Sequence, residues 1–251
     1  MTYSEMDYEF SIVYDSIAGL QAPSYNKKMK SVLLTMAQEQ LLKNRLNPQG
    51  NKYGDSFEET EKRKIEFSSL VKNTILTTNA STTANLTNGT FWEMPSNFWL
   101  AITERADIEF SSISGCYEIG ATKTDVRIKP ITHDYYMANI NNPMKAPYEE
   151  LIWRLNISST LNSLNENENI LVELVTDGKF FVSSYKIRYI AKPVPIILDT
   201  SIIRGVTGPK SCQLDEMIHS EIVRTAAELA VEISKDPQRF QTLKINNMSV
   251  E

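Results

Sequence analysis

In the run Leu151-Ile152-Trp153-Arg154-Leu155-Asn156-Ile157-Ser158, apolar side chains recur at every second position. Leu151, Trp153, Leu155 and Ile157 point one way along an extended chain while Ile152, Arg154, Asn156 and Ser158 point the other, the period of a half-buried sheet. Downstream, residues 169–175 and 180–191 flank Thr176-Asp177-Gly178-Lys179. Gly supplies the positive φ of a tight turn, so these two runs are expected to pair as a hairpin. The second arm, Tyr185-Lys186-Ile187-Arg188-Tyr189-Ile190, meets Lys192-Pro193-Val194-Pro195, where prolines without N–H donors must lie at an edge or outside the ladder. Upstream, Phe98, Leu100 and Ile102 alternate with Trp99, Ala101 and Thr103, and Tyr117-Glu118-Ile119 and Val126-Arg127-Ile128 continue the pattern. The expectation is a mostly antiparallel sheet of four to six strands over residues 91–198, poor in reactive side chains and suited to making contacts.

Residues 1–77 have helical periodicity instead. Met6, Phe10, Val13 and Ile17 share one face of a first helix that Gly19 can stop. In a second, Ser24 is a candidate N-cap and Tyr25, Met29, Val32, Leu33, Met36, Gln40 and Leu41 form the stripe, up to Asn47-Pro48-Gln49-Gly50. Ser56-Phe57-Glu58-Glu59 reads as the capping box of a third helix reaching about Leu76. Residues 78–90, rich in Thr, Asn, Ser, Ala and Gly, form a loop or boundary with too little apolar surface to fold alone.

Beyond the sheet, residues 199–213 are a Gly-containing connector and residues 214–236 a long helix. Its stripe is Leu214, Ile218, Ile222, Ala226, Leu229 and Ile233, and Val223, Ala227, Ala230 and Val231 lie round its side. That arc is wider than packing on a single core requires. Either the helix is sunk in its own domain, or part of the arc meets a neighbouring subunit. The interface candidates are therefore Ile218, Ile222, Val223, Ala226, Ala227 and Ala230. Leu243 and Ile245 join them from an extended tail, residues 237–251, too sparse in apolar residues to fold by itself but able to dock on a partner. The fold class is α+β.

At 251 residues with a net charge of −5, the composition is that of an ordinary soluble protein. Met1-Thr2-Tyr3-Ser4-Glu5 has no basic and apolar leader, and no window approaches the roughly 18 apolar residues of a membrane span. The chain is expected to be made and kept in the cytosol, with no membrane partner. Cys116 and Cys212 are far apart and lack a Cys-x-x-Cys neighbour, which predicts free thiols rather than zinc or a redox pair.

Catalytic motifs are scarce. His133 stands beside Asp134, which an extended chain would turn to the opposite side, and there is no Gly-x-Ser-x-Gly elbow. His219, beside Glu216 and Glu221, fits a solvated helix face better than a metal site needing three or four converging ligands. Gly205-Val206-Thr207-Gly208-Pro209-Lys210-Ser211 fails the phosphate-loop spacing. Lys27-Lys28 and Glu61-Lys62-Arg63-Lys64 are mixed-sign faces, not a basic stripe, and direct sequence-specific nucleic-acid binding is not expected. No catalytic residue, metal or cofactor is assigned.

The segments Val126 to Tyr136, Asn142 to Pro147 through Trp153-Arg154-Leu155, and Tyr185 to Leu198 with the helix from Leu214 resemble structural proteins of crAss-like phages, podoviruses of gut Bacteroides. Within that group they are most similar to a ring protein of the portal vertex, the adaptor between portal and tail. The resemblance covers about the last half of the chain. It implies a non-enzymatic virion part assembled from copies of itself into a ring of twelve. The implied partners are the portal protein, neighbouring tail rings, and genomic DNA that passes through the lumen without sequence-specific binding. Acidic side chains of the helical region or of the loop around Asn165-Glu166-Asn167-Glu168 are candidates for the lumen wall, with an ordinary solvated surface as the alternative reading. Another ring or tail-hub protein of the same virion is the alternative, and a soluble enzyme using His133 is a third reading from a different class.

Overall fold

Ile152, Trp153, Arg154 and Leu155 are all buried, so the run that alternates like a half-exposed strand has cover on both faces. In the computed structural model, described over residues 1–18, 24–46, 61–77, 86–113, 117–160 and 169–233, it is one strand of a seven-stranded sheet. The elements in chain order are α1 (Tyr3–Ala18), α2 (Lys27–Leu46), α3 (Glu61–Phe67), β1 (Val71–Leu76), β2 (Gly89–Glu93), β3 (Phe98–Phe110), β4 (Thr122–Pro130), α4 (His133–Asn139), β5 (Leu151–Thr160), β6 (Asn169–Val175), β7 (Phe180–Ala191), β8 (Ile202–Ile203), β9 (Val206–Thr207) and α5 (Glu216–Ile233). They fall into two units, residues 71–192 and residues 1–70 with 193–251. The class is α+β, as expected.

The sheet unit differs from the expected sheet in number, direction and connection. Its order is β1-β7-β3-β4-β5-β6-β2. Every pairing is antiparallel except β4 with β5, which are parallel and joined by the α4 crossover that parallel neighbours require. Residues 71–76, expected to prolong the third helix, form β1: α3 ends at Phe67, Ser68 and Leu70 close turns, and β-branched Val71, Thr74 and Ile75 pair with β7. Tyr117-Glu118-Ile119 is not a strand: Tyr117 makes a single bridge and stacks on Phe110 at 4.5 Å, and Ile119 lies in a turn closed by Ala121 N–H on Glu118 O. Leu100 is exposed because register shifts on both sides of it disturb the alternation of β3. Strand β7 ends at Ala191, ahead of both prolines.

Nor do β6 and β7 form a hairpin. They lie next to opposite edges of the sheet, yet only Thr176-Asp177-Gly178-Lys179 joins them. So short a link requires the sheet to curl until those ends meet. Trp92 of β2 duly touches Tyr185 of β7 across the interior, rings 6.0 Å apart and edge to face. The link is pinned on both sides. Thr176 N–H donates to Asn88 O at 3.1 Å, and Ser111 N–H donates to Lys179 O at 2.9 Å. Within the curl lies an apolar core that includes Ile108, Ile152, Val172 and Leu174, and through it runs an ion pair, Arg154 Nη1 to Glu104 Oε1 at 2.6 Å. Burial outweighs the pull of Arg154 and raises the Glu104 carboxyl, and it pushes the neighbouring Tyr185 phenol well up. On the other face α4 covers β5, Tyr135 and Tyr136 meeting Trp153 edge-on.

In the helical unit α5 packs against both α1 and α2, and Lys30 of α2 bridges to α1, bonding Asp7 at 2.8 Å and Ser11 Oγ at 2.7 Å. Met6 and Phe10 are buried as expected, with Tyr14 completing that face. The α2 stripe is displaced in part: Leu33 and Leu41 are buried as expected, but Met29, Val32 and Met36 are exposed, and Leu34, Ala37 and Leu42 are buried in their place. Polar residues share the buried side for a definite reason. Leu198 N–H donates to Ser31 Oγ and Ile196 N–H to Thr35 Oγ1, at 3.0 and 3.2 Å. Gln38 Nε2 reaches Val194 O at 3.4 Å. Prolines at 193 and 195 carry no donor, and this α2 ladder accepts from two of the N–H groups that remain, at Ile196 and Leu198, and donates to the Val194 carbonyl. Asn26, not Ser24, caps α2 through Met29 N–H. A capping box does occur at Thr2 and Glu5 of α1, whereas Ser56 and Glu59 lie outside the described residues. The connector holds a small ribbon, β8 with β9, turned by Arg204 and Gly205 at φ 50° and 76°. Among the described residues no helix is long and apolar enough to cross a membrane.

Gly178 has φ 84°, and a Cβ added there would meet Asn88 Nδ2 at 2.7 Å, whereas at Gly205 a Cβ would meet nothing within 4 Å. Both Gly→Ala changes should cost roughly 1–2 kcal/mol for the left-handed backbone, and Gly178→Ala should cost more because the Asn88 side chain must also turn aside. Urea unfolding of the two variants checks this. Equal losses would mean that the corner between β6 and β7 is not tightly packed.

Candidate assembly surfaces

The side chains that could carry chemistry are dispersed or sequestered. His133 and Asp134 open α4 behind the Thr132 N-cap, rather than facing opposite ways from an extended segment; exposed His133 has its Nε2 3.2 Å from Asn156 O. His219 is buried, not on a solvated face, with Nε2 2.9 Å from Leu214 O and Nδ1 3.1 Å from the Met1 amine. Burial pushes the half-buried Cys212 thiol up to about 11, so it is no ready nucleophile; Cys116 lies outside the described residues. Among the described residues no three His, Cys, Asp or Glu side chains converge as a metal site would need.

Of the residues expected at an interface, Ile218, Ile222, Val223, Ala226, Ala227 and Ala230 are at most 1% exposed. The wide apolar arc of α5 is filled within its own unit, since α1 and α2 pack on two sides of it. Leu243 and Ile245 lie outside the described residues, as do Asn165, Glu166, Asn167 and Glu168.

The accessible surfaces are elsewhere. On α2, Met29, Val32 and Met36 form an exposed apolar row opposite the polar ladder. On α1, Glu5, Tyr8, Ile12 and Asp15 are exposed along one side with Glu9 half-buried beside them, and the helix contains no Lys or Arg. In the sheet unit, cross-strand register gathers cations from three strands. Arg105 of β3 stands opposite Arg127 of β4 on one side and Lys186 of β7 on the other. Lys129 and Arg188 lie two residues along on the same face. Lys186 bonds to Asp107 at 2.8 Å and Asp125 at 3.4 Å. Burial alone would raise the Asp107 carboxyl, but bonds from Lys186, Ser184 and the Asp125 N–H outweigh it and hold it low. Arg105 and Arg127 have no acidic partner among the described residues, although like charges directly opposite one another on a sheet are unfavourable. No basic stripe is visible along the chain because the cations come from three separate strands. The available signal was alternation, in Val126-Arg127-Ile128-Lys129 and Lys186-Ile187-Arg188.

The family described as phage tail ring protein 3/4 matches residues 1–242. The chain is similar to "Ring protein 4/5" of Bacteroides phage crAss001, 35% identical over 239 residues covering 92% of each chain. It is also similar to "Ring protein 3" of the same phage, 30% identical over 240 residues covering 94% of this chain and 96% of that one.

Burial lowers the pKa of His219, so its folded value lies below its unfolded one and the fold holds the neutral ring. The resulting stability is present above the unfolded value of about 6.5 and is lost as pH falls through the folded value. Between about pH 7.5 and about pH 5 the wild type should lose more stability in urea than His219→Gln, because only the wild type must protonate a buried imidazole. Equal losses would show that His219 does not govern this window.

Proposed function

Because the chain belongs to the phage tail ring protein 3/4 family, we propose that its copies close into a ring of twelve at the portal vertex, joining the portal to the tail. The chain is a structural component of a crAss-like phage virion and not an enzyme. The observation that carries the ring reading is the extent of the match, which spans both units and reaches residue 242. Both relatives are themselves named as ring proteins.

A closed ring makes a specific physical demand. Each subunit meets two neighbours through two different patches, so the chain must carry two complementary surfaces rather than one self-complementary surface. The portal protein and neighbouring tail rings would contact the two ends of the ring, and Leu243 and Ile245 are candidates to dock on an adjoining ring. The genome would pass through the lumen. A chain with net charge −5 suits a conduit that does not retain phosphates, since a basic wall would release counterions on binding DNA and slow its passage. The family description as a tail ring favours a second reading, in which the ring sits further along the tail axis than the portal junction.

Rings released from disrupted virions and weighed by native mass spectrometry should show 12 × 28.5 kDa, about 342 kDa, for a closed assembly of twelve. A different integral multiple would correct the copy number. Absence of the chain from every ring of the particle would overturn the reading.

Deleting residues 243–251 should leave the fold intact and weaken attachment to the adjoining ring. Full attachment of the truncated chain would count against the docking role of the tail.

A further inference from the structure

The basic sheet face and the acidic side of α1 are complementary, and this complementarity rests on the ring reading for its meaning. On the sheet, Arg105, Arg127, Lys129, Lys186 and Arg188 cluster on adjacent positions of β3, β4 and β7. The carboxylates nearest in register, Asp107 and Asp125, are both held by Lys186; Glu109 stands four residues from Arg105 along β3. Lys129 lies over the Tyr135 ring at 4.8 Å and Arg188 donates to Asn73 Oδ1 at 2.9 Å. Ile75, opposite Lys186 on β1, is 60% exposed, and Phe181 of β7 is exposed too. On α1, Glu5, Glu9 and Asp15 flank Tyr8 and Ile12, which are 71% and 51% exposed, and the helix itself contains no Lys or Arg. Asp7 is already paired with Lys30 of α2.

We propose that the acidic side of α1 in one copy docks on the basic face of the β4-β3-β7-β1 sheet in the next copy, as the repeating contact of the ring. The dimensions agree. Glu5 to Asp15 spans about 15 Å along a helix at 1.5 Å per residue, and four strands span about 14 Å at 4.8 Å spacing. Each face places exposed apolar side chains among its charges, so docking would bury apolar area while pairing arginines with carboxylates. The two patches are different surfaces of one chain, as a heterologous ring contact requires. Duplex DNA fits the sheet face less well. Its phosphates would meet Asp107, Asp125 and two exposed apolar side chains, on a chain of net charge −5.

The test is charge exchange on the full chain, sized by mass photometry at low and high salt. Arg105→Glu with Arg127→Glu should weaken self-association at least about tenfold, and so should Glu9→Arg with Asp15→Arg. Glu5 is left in place because it caps α1. All four reversals in one chain should restore association, which a folding defect could not do. Failure of the combined variant to recover, or association indifferent to every reversal, would overturn this contact. Rings weighed from virions would then still stand for the ring reading. A wild-type chain that stays monomeric at every concentration and salt would likewise overturn the claim that these faces bind each other. Tight duplex DNA binding lost in Arg105→Glu with Arg127→Glu would assign the face to nucleic acid instead.

Discussion

Four residues, Thr176 to Lys179, must carry the chain between strands that lie beside opposite edges of one sheet. The rest of the sheet unit follows from that constraint. A flat sheet would hold the ends of β6 and β7 several strand spacings apart, about 4.8 Å each. Curling brings them together, and an interior results that Trp92 and Tyr185 fill from the two sides. Once the interior is closed, Arg154 of β5 and Glu104 of β3 are buried together. Separating such a pair is costly because either charge would be left alone away from water. The outer face divides in two. Helix α4 covers β5, while β4, β3 and β7 present charge.

The helical unit is organised by a second constraint, the shortage of backbone donors around Pro193 and Pro195. Ser31, Thr35 and Gln38 align along α2 to meet the donors and acceptors of residues 194–198, which permits buried Ile196, Ile197 and Leu198 to extend the apolar core. Three small residues of α5, Ala226, Ala227 and Ala230, are completely buried where α1 and α2 flank the helix. The small side chains permit close helix approach, and they serve the subunit's own packing.

The long periodic elements were legible in the sequence: α1, α2, α5, β5 and β7 all occur where periodicity puts them. The errors have physical causes. Turn chemistry at Thr176 to Lys179 is the same whether the flanking strands pair or diverge, so a local signal could not reveal the curl. Val71 to Leu76 carries β-branched residues but follows a helical pattern, and only the partner strand β7 decides its state. Ser31, Thr35 and Gln38 are missing from the expected α2 stripe because their partners are backbone groups some 160 residues away. The α5 arc is wide in sequence and in structure, but sequence cannot tell a neighbouring helix from a neighbouring subunit. The basic face was hidden for the same reason as the hairpin error. Its residues meet only through cross-strand register, which depends on topology.

These properties suit a part whose function lies in shape and contact. A ring subunit must be rigid enough to repeat around an axis and must display two different surfaces to its neighbours. The curled sheet and the three-helix packing supply rigid supports, and the charged and apolar residues left exposed on them are the surfaces proposed for those contacts. The most direct measurement is a reconstruction of the virion tail by electron cryomicroscopy in which this chain is traced. The account predicts copies repeating around the tail axis, each touching the next through two different patches. Copies that do not touch one another, or a tail without this chain, would contradict it.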